Sequence, residues 1–228
     1  MPQETGLQLD HLFLWVEPEA AEAERACSAL GLLESFRRDH PGQGTSNLCY
    51  CFDNAYLELL WLRDPSEAER PPAARTGLAA RANWRNSGAS PFGIALRGTE
   101  VGGALPFDCY DYPAPYLPAG RAIAVARSSD DPRQPFLFKS PGSRRPADWD
   151  DGRAGARQSA AGLAEIVGLH LDLPVGVEPS GDLRLLERGG LLTLATEAAG
   201  PAMRLSVSKA GTTGRRVLSL PALSWLDP

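Results

Sequence analysis

The run Leu9-Asp10-His11-Leu12-Phe13-Leu14-Trp15-Val16 has the length and apolar content of a β-strand, and Pro18 closes it. Residues 19 to 30 are rich in Ala and Glu and carry acids in the first turn, where the helix dipole favours them. They stop at Gly31, which predicts a helix. Three further strands are expected at Leu33 to Arg38, Asn47 to Phe52 and Ala55 to Leu62, with Asp53-Asn54 as a tight turn between the last two. Residues 8–63 therefore read as one β-α-β-β-β unit.

Beyond Trp61 the pattern changes. Residues 64–91 form a charged, Ala-rich connector with a helix expected from Ala73 to about Asn86. Residues 92–140 restart with a strand at Pro91 to Arg97 and weaker ones at Ala122 to Arg127 and Pro135 to Lys139. Pro106, Pro113, Pro115 and Pro118 interrupt them, so this unit reads as irregular. Residues 141–158 offer little apolar surface to offset ordering entropy and read as an exposed loop. Residues 159–226 make a third, strand-rich block, with strands expected at Ile166 to Leu173, Leu183 to Arg188, Leu191 to Glu197, Met203 to Ser208 and Arg216 to Leu220. Gly189-Gly190 is its hairpin signal. The fold class is α+β, with more strand than helix.

Composition narrows the functional classes. The 228 residues are 43% hydrophobic and 22% charged, which is enough for a packed core. With 23 Lys+Arg against 28 Asp+Glu and no basic stripe, nucleic acid is not an expected partner. No window approaches the roughly 20 apolar residues of a membrane span, and the start Met-Pro-Gln-Glu-Thr lacks a basic signal-peptide head, so a cytoplasmic protein is expected. The four cysteines are too few for a disulfide framework. Cys49 and Cys51 are too close for the usual zinc spacing, so reduced, packed thiols are expected.

Two polar residues stand out inside otherwise apolar strands, His11 and Glu58. The strand Tyr56 to Leu62 is apolar on both faces, so the Glu58 carboxylate must be neutralised, paired or bound to a cation, since an unpaired buried charge costs several kcal/mol. Alternation puts His11 with Leu9, Phe13 and Trp15, and Glu58 with Tyr56 and Leu60. The pair is open to three readings: half of a divalent metal site, an acid/base pair, or a satisfied hydrogen bond.

Leu-Asp-His-Leu-Phe-Leu-Trp-Val, the Ala-rich helix, His40-Pro-Gly-Gln-Gly-Thr-Ser-Asn47 and Ala-Tyr-Leu-Glu-Leu-Leu together resemble the first module of a glyoxalase-like domain of the vicinal oxygen chelate superfamily over residues 8 to 63. The resemblance implies repeated β-α-β-β-β modules whose curved mixed sheets form a cup around a small ligand, the first module regular and the later ones degenerate. It implies metal ligands on the first and last strands of each module, here His11 and Glu58. In the second module Gly93, and Phe138 or Lys139, stand where a His and a Glu are expected, so two of four ligands are absent. His170, on the strand Val167 to Leu173, is the remaining candidate ligand, about two residues past the usual position.

The resemblance also marks His40, Gln43 and Asn47 as ligand-binding candidates at the cup's border, where Pro-Gly and Gly otherwise mark a turn. Phe13 and Tyr56 supply aromatic surface. Arg81 and Trp84 on the connector helix are candidates to roof the cup and bind a carboxylate or a ring. The function expected is action on a small organic molecule with Glu58 and His11 as catalytic residues. A divalent ion (Fe, Mn, Zn or Ni) would assist lyase, isomerase or ring-cleaving dioxygenase chemistry, with no nucleotide cofactor. The alternative is metal-free binding or sequestration without catalysis. Membrane association is not expected, and homodimers are common in the superfamily.

Overall fold

A computed structural model of the chain describes residues 6–98, 104–142 and 144–226. The Met1 to Thr5 start, and residues 99–103 of the second unit, lie outside the described residues.

The first unit builds β1 (Leu7–Trp15), α1 (Ala21–Ala29) after a 3-10 turn at Pro18–Ala20, β2 (Phe36–His40), β3 (Thr45–Cys51) and β4 (Tyr56–Leu62). Ala20, Ala23 and Cys27, spaced at helical intervals, are the buried contacts of the helical segment, and Gly31 follows it with φ of 79°, a conformation that favours glycine. β1 pairs parallel with β4, and β3 pairs antiparallel with β2 and β4.

The connector holds no single helix. It breaks into α2 (Pro65–Ala68), a 3-10 turn at Ala73–Thr76, α3 (Leu78–Ala82) and α4 (Trp84–Ser87). Gly77 adopts φ of 65° between the second and third pieces, and the non-helical Asn83 separates the last two. The second unit contributes β5 (Phe92–Gly98), β6 (Cys109–Tyr112), β7 (Ile123–Ala126) and β8 (Phe136–Lys139). Its strands join those of the first in one eight-stranded sheet of order β2-β3-β4-β1-β5-β8-β7-β6. The two halves are mirrored in pairing, because β5 pairs parallel with β8 as β1 does with β4.

A second, five-stranded sheet holds β9 (Leu163–Pro174), β10 (Thr193–Ala198), β11 (Ala202–Lys209), β12 (Arg215–Leu220) and β13 (Ser224–Leu226), in the order β10-β9-β11-β12-β13. The strand expected at Leu183 to Arg188 is instead α5 (Gly181–Arg188). Ser180 caps it by accepting from the Leu183 amide, and Leu183 and Leu186 bury one face. Gly189-Gly190 consequently ends a helix and does not turn a hairpin, and β10 returns parallel to β9. The short apolar run fits either period, and the capping serine decides it. The strand order also differs from that of the first unit.

Two cores follow. Leu12, Leu14, Leu57 and Leu59 on one face of the large sheet meet α1 and the apolar face of the small sheet, including Leu169, Leu171 and Leu205. The opposite face carries Phe13, Trp15, Leu60, Phe136 and Phe138, packed with Leu78 of α3. Of residues 141–158, expected as an exposed loop, Pro146, Ala154 and Gln158 are buried. The Gln158 amide both accepts from Leu33 N (2.9 Å) and donates to Leu33 O (2.6 Å), tying the segment to the start of β2. Such anchors come from residues more than a hundred positions away, so local composition does not report them. All four cysteines are free, and burial pushes the Cys27 and Cys51 thiols up to about 12.

Candidate functional site

The second face of the large sheet is a cup. Its two edges meet through side chains: Tyr112 on β6 donates its hydroxyl to Gln43 Oε1 in the β2–β3 turn at 2.9 Å, although β6 and β2 stand at opposite ends of the sheet. His40 and Tyr116 close the same seam, with ring centroids 4.7 Å apart. The enclosed cavity measures about 540 Å³ and is lined by, among others, His11, Phe13, His40, Gln43, Asn47, Tyr56 and Glu58.

Strand alternation fills the cup from three adjacent strands. Phe36, Arg38 and His40 of β2 lie beside Asn47 of β3, and Tyr56, Glu58 and Leu60 of β4 follow, with Arg38 directly opposite Asn47 and Asn47 opposite Leu60. β1 behaves differently. A register shift between Leu9 and His11 makes Asp10 the extra residue of a β-bulge, so Leu9 joins the outer core while His11, Phe13 and Trp15 face the cup. The bulge also turns Asp10 toward its neighbour's ring.

Asp10 Oδ1 stands 2.7 Å from His11 Nδ1, and His11 Nε2 faces Glu58 Oε2 at 3.5 Å. The other Glu58 oxygen accepts from the Asn47 amide at 2.6 Å. That amide lies 3.5 Å from His40 Nε2, while His40 Nδ1 and the Gln43 amide share the Thr45 hydroxyl at 2.9 and 2.8 Å. Tyr112 completes the chain at one end, and Arg97, 3.7 Å from Asp10 Oδ2, completes it at the other. Every member of this nine-residue chain is buried. Buried polar groups hold their place by such pairing, and two atoms of the chain lack a hydrogen-bond partner: Arg97 Nη1, which has only the Asp10 carboxylate at 3.7 Å, and Asn47 Oδ1 on the cup floor.

The surroundings tune these groups. Burial lowers the His40 pKa, against the opposing pull of the Glu58 charge, so the ring favours the neutral form. Burial likewise holds the Tyr56 hydroxyl well above its usual range. The Tyr56 ring stacks on His11 at 4.4 Å with a 12° interplanar angle, and Phe138 meets His11 edge-on at 5.3 Å. Trp149, in a stretch read as solvated loop, stands against Phe36 and Tyr56 at the lip, at 6.2 and 6.0 Å.

Three expected residues lie elsewhere. His170 is on β9 of the small sheet, bonded to Thr193 Oγ1 (2.7 Å) and Asp172 Oδ1 (2.8 Å), and lines a separate cavity of about 690 Å³. It does not join His11 and Glu58, because two strands with similar local sequence belong to different sheets. Arg81 is 1% exposed and donates to the carbonyls of Ser129, Asp131, Pro132 and Gln134. Burial pushes its pKa down to about 10. The guanidinium organises the β7–β8 connection and does not roof the cup. Trp84 donates its indole N–H to Trp15 O at 3.2 Å and carries Arg85 over its ring. Leu78 alone brings the connector to the cavity.

The donor set does not fit a three- or four-ligand metal centre. His11 and Glu58 offer two ligands, and one Glu58 oxygen already serves the Asn47 amide. At the corresponding positions of the second unit, Phe138 presents a carbon ring, and Gly93 lies under the Phe13 ring so closely that any Cβ there would overlap it. Among the described residues no group of three or more His, Cys, Asp or Glu gathers to hold an ion. A dioxygenase triad of two histidines and a carboxylate is not assembled.

Asp10, Phe36, Arg38, Tyr112 and Trp149 were not anticipated as site residues. Of these only Phe36 and Arg38 show a signal in the sequence, since they alternate with His40 along one short strand.

Residues 9–104 match the family described as glyoxalase-like domain. A comparison with curated proteins returns no match. Among solved structures, the hypothetical protein BH1468 from Bacillus halodurans C-125 is 15% identical, with 61% of this chain and 98% of that one covered and a TM-score of 0.36. A hypothetical protein from Staphylococcus aureus is 11% identical, over 92% and 84% of the two chains, with a TM-score of 0.47. A mutant 4-hydroxymandelate synthase from Streptomyces coelicolor is 12% identical, with a TM-score of 0.43, over 97% of this chain and 64% of that one. At these identities the likenesses assign no residue a role. No helix among the described residues is long and apolar enough to cross a membrane.

Proposed function

We propose, with residues 9–104 matching the glyoxalase-like domain family, that the cup takes a small organic molecule whose polar end meets Glu58 and His11, and that Glu58 accepts a proton from it. The observation that supports this reading is the Asp10–His11–Glu58–Asn47 chain at the floor of an aromatic cavity. Asp10 fixes the ring through Nδ1, which directs Nε2 at the Glu58 carboxylate 3.5 Å away. A proton that reaches Glu58 is then shared with Nε2, and the pair returns it to another atom of the same molecule. That is the proton traffic of an isomerase or lyase.

Binding without turnover is the second reading. It is favoured by the second unit, which offers the cup the aromatic rings of Phe136 and Phe138 where a bound molecule needs surface, not reacting groups. A chemical-shift screen of small carbonyl and hydroxy compounds, followed by deuterium uptake from D2O into those that bind, separates the two. Exchange in the wild type and none in Glu58→Gln supports proton transfer, whereas binding with no exchange selects the second reading. Addition of Fe, Mn, Zn or Ni is expected to give no stoichiometric binding. One-to-one uptake abolished by His11→Ala would restore metal-assisted chemistry.

A further inference from the structure

We propose that the molecule taken by the cup is a planar small anion, with its negative group on Arg38 at the mouth and a hydroxyl or amino donor at the other end on Asn47 Oδ1 and Glu58. This assignment rests on the cup being the binding site.

Four arginines line the mouth, and three are already answered by carboxylates. Arg37 pairs with Glu24 and Glu34, Arg144 with Asp150, and Arg153 with Asp151. Arg38 makes no ion pair among the described residues, and its guanidinium stands 5.9 Å from the Phe36 ring centroid. It lies on the cup face of β2, between Phe36 and His40, and its strand position is directly opposite Asn47. The unmatched cation is therefore built into the same lattice as the floor.

The floor has the opposite character. Asn47 Oδ1 is an acceptor without a partner on a residue only 5% exposed, and Glu58 beside it is a carboxylate. A buried acceptor left unpaired costs about 1–3 kcal/mol, so a ligand that donates there recovers interaction the free protein lacks. A second acceptor on the ligand would meet only acceptors. Strands lie about 4.8 Å apart, and Arg38, Asn47 and Glu58 sit on three successive strands, so anion and donor are separated by roughly the length of one ring. The space between is lined by rings, with Tyr56 and Phe36 at the lip and Phe13 and Phe138 deeper, which favours a flat molecule.

The test uses 4-hydroxybenzoate, 4-aminobenzoate, benzoate and 4-hydroxybenzamide as probes, with affinity from calorimetry and location from chemical shifts. Wild-type protein is expected to bind 4-hydroxybenzoate at least tenfold tighter than its amide and at least tenfold tighter than benzoate. Arg38→Gln should erase the first preference and keep the second, and Arg38→Lys should restore part of the first. Arg38 is exposed, so these variants leave the core intact. If the neutral amide binds in the cup as well as the acid does, or if Arg38→Gln keeps the preference, the anion assignment fails while the cup survives as a site. If no probe perturbs His11, Phe13 or Tyr56, both fail.

Discussion

Asp10 and His11 are consecutive residues of one strand, yet their side chains hydrogen-bond at 2.7 Å. Regular alternation would send them to opposite faces of the sheet. The bulge at Asp10 lets both lie on the cup side and places the carboxylate between His11 and Arg97. The His11 ring is thereby clamped by Asp10 along its edge and by Tyr56 on its face.

Asp10→Ala is expected to destabilise the fold by about 3 kcal/mol, because Arg97 would keep a buried guanidinium without its carboxylate. Asp10→Asn should cost roughly half of that, since the amide oxygen can still accept from His11. Urea unfolding of the two variants measures the difference. Equal losses would mean that the charge, and not the hydrogen bond to His11, is what Asp10 contributes.

Gly93→Ala should cost roughly 1–3 kcal/mol, because the new methyl group overlaps the Phe13 ring. The double variant Gly93→Ala with Phe13→Leu should recover most of the loss. Thermal melts of the single and double variants decide it, and purely additive losses would place the strain elsewhere.

Stability should fall as pH drops below about 6.5, the ordinary His value. His40 is held neutral by burial, so its folded pKa lies below its unfolded one and the unfolded chain binds the extra proton first. The contribution is fully present above the unfolded value and is lost as pH falls through the folded one. His40→Gln should flatten the Tm profile between pH 7 and 5. An unchanged slope would show that the carboxylates alone produce it.

Arg81→Met is expected to cost roughly 3 kcal/mol, because it takes the guanidinium donor from the carbonyls of the buried Ser129 and Gln134, whereas Asp131 and Pro132 keep backbone donors. Arg81→Lys should recover only part, since one ammonium cannot reproduce the guanidinium fork. Loss of ligand binding without loss of stability would instead return Arg81 to the cup.

The first unit was legible because its apolar runs, its Ala-Glu helix and its turn residues agree with one another. The β4 pattern alone placed Glu58 with Tyr56 and Leu60 on one face, as observed. The reading weakened wherever a short apolar run lacked a decisive period, so Leu183 to Arg188 was expected as a strand and β6 was not anticipated. Arg81 had the helical spacing of a surface residue, and its burial depends on carbonyls about fifty positions away.

The sequence by itself determined which side chains alternate together on β4, and so which polar groups had to be reconciled with an apolar strand, but on β1 the bulge separates Leu9 from His11. Tertiary structure decided what they meet: the bulge that turns Asp10 to His11, the Tyr112–Gln43 contact that joins the sheet's two ends, and the separate sheet that holds His170. Periodicity is a local property of the chain, whereas register, sheet membership and edge-to-edge contact are set by which long-range packing arrangement buries the most apolar surface with its polar groups paired.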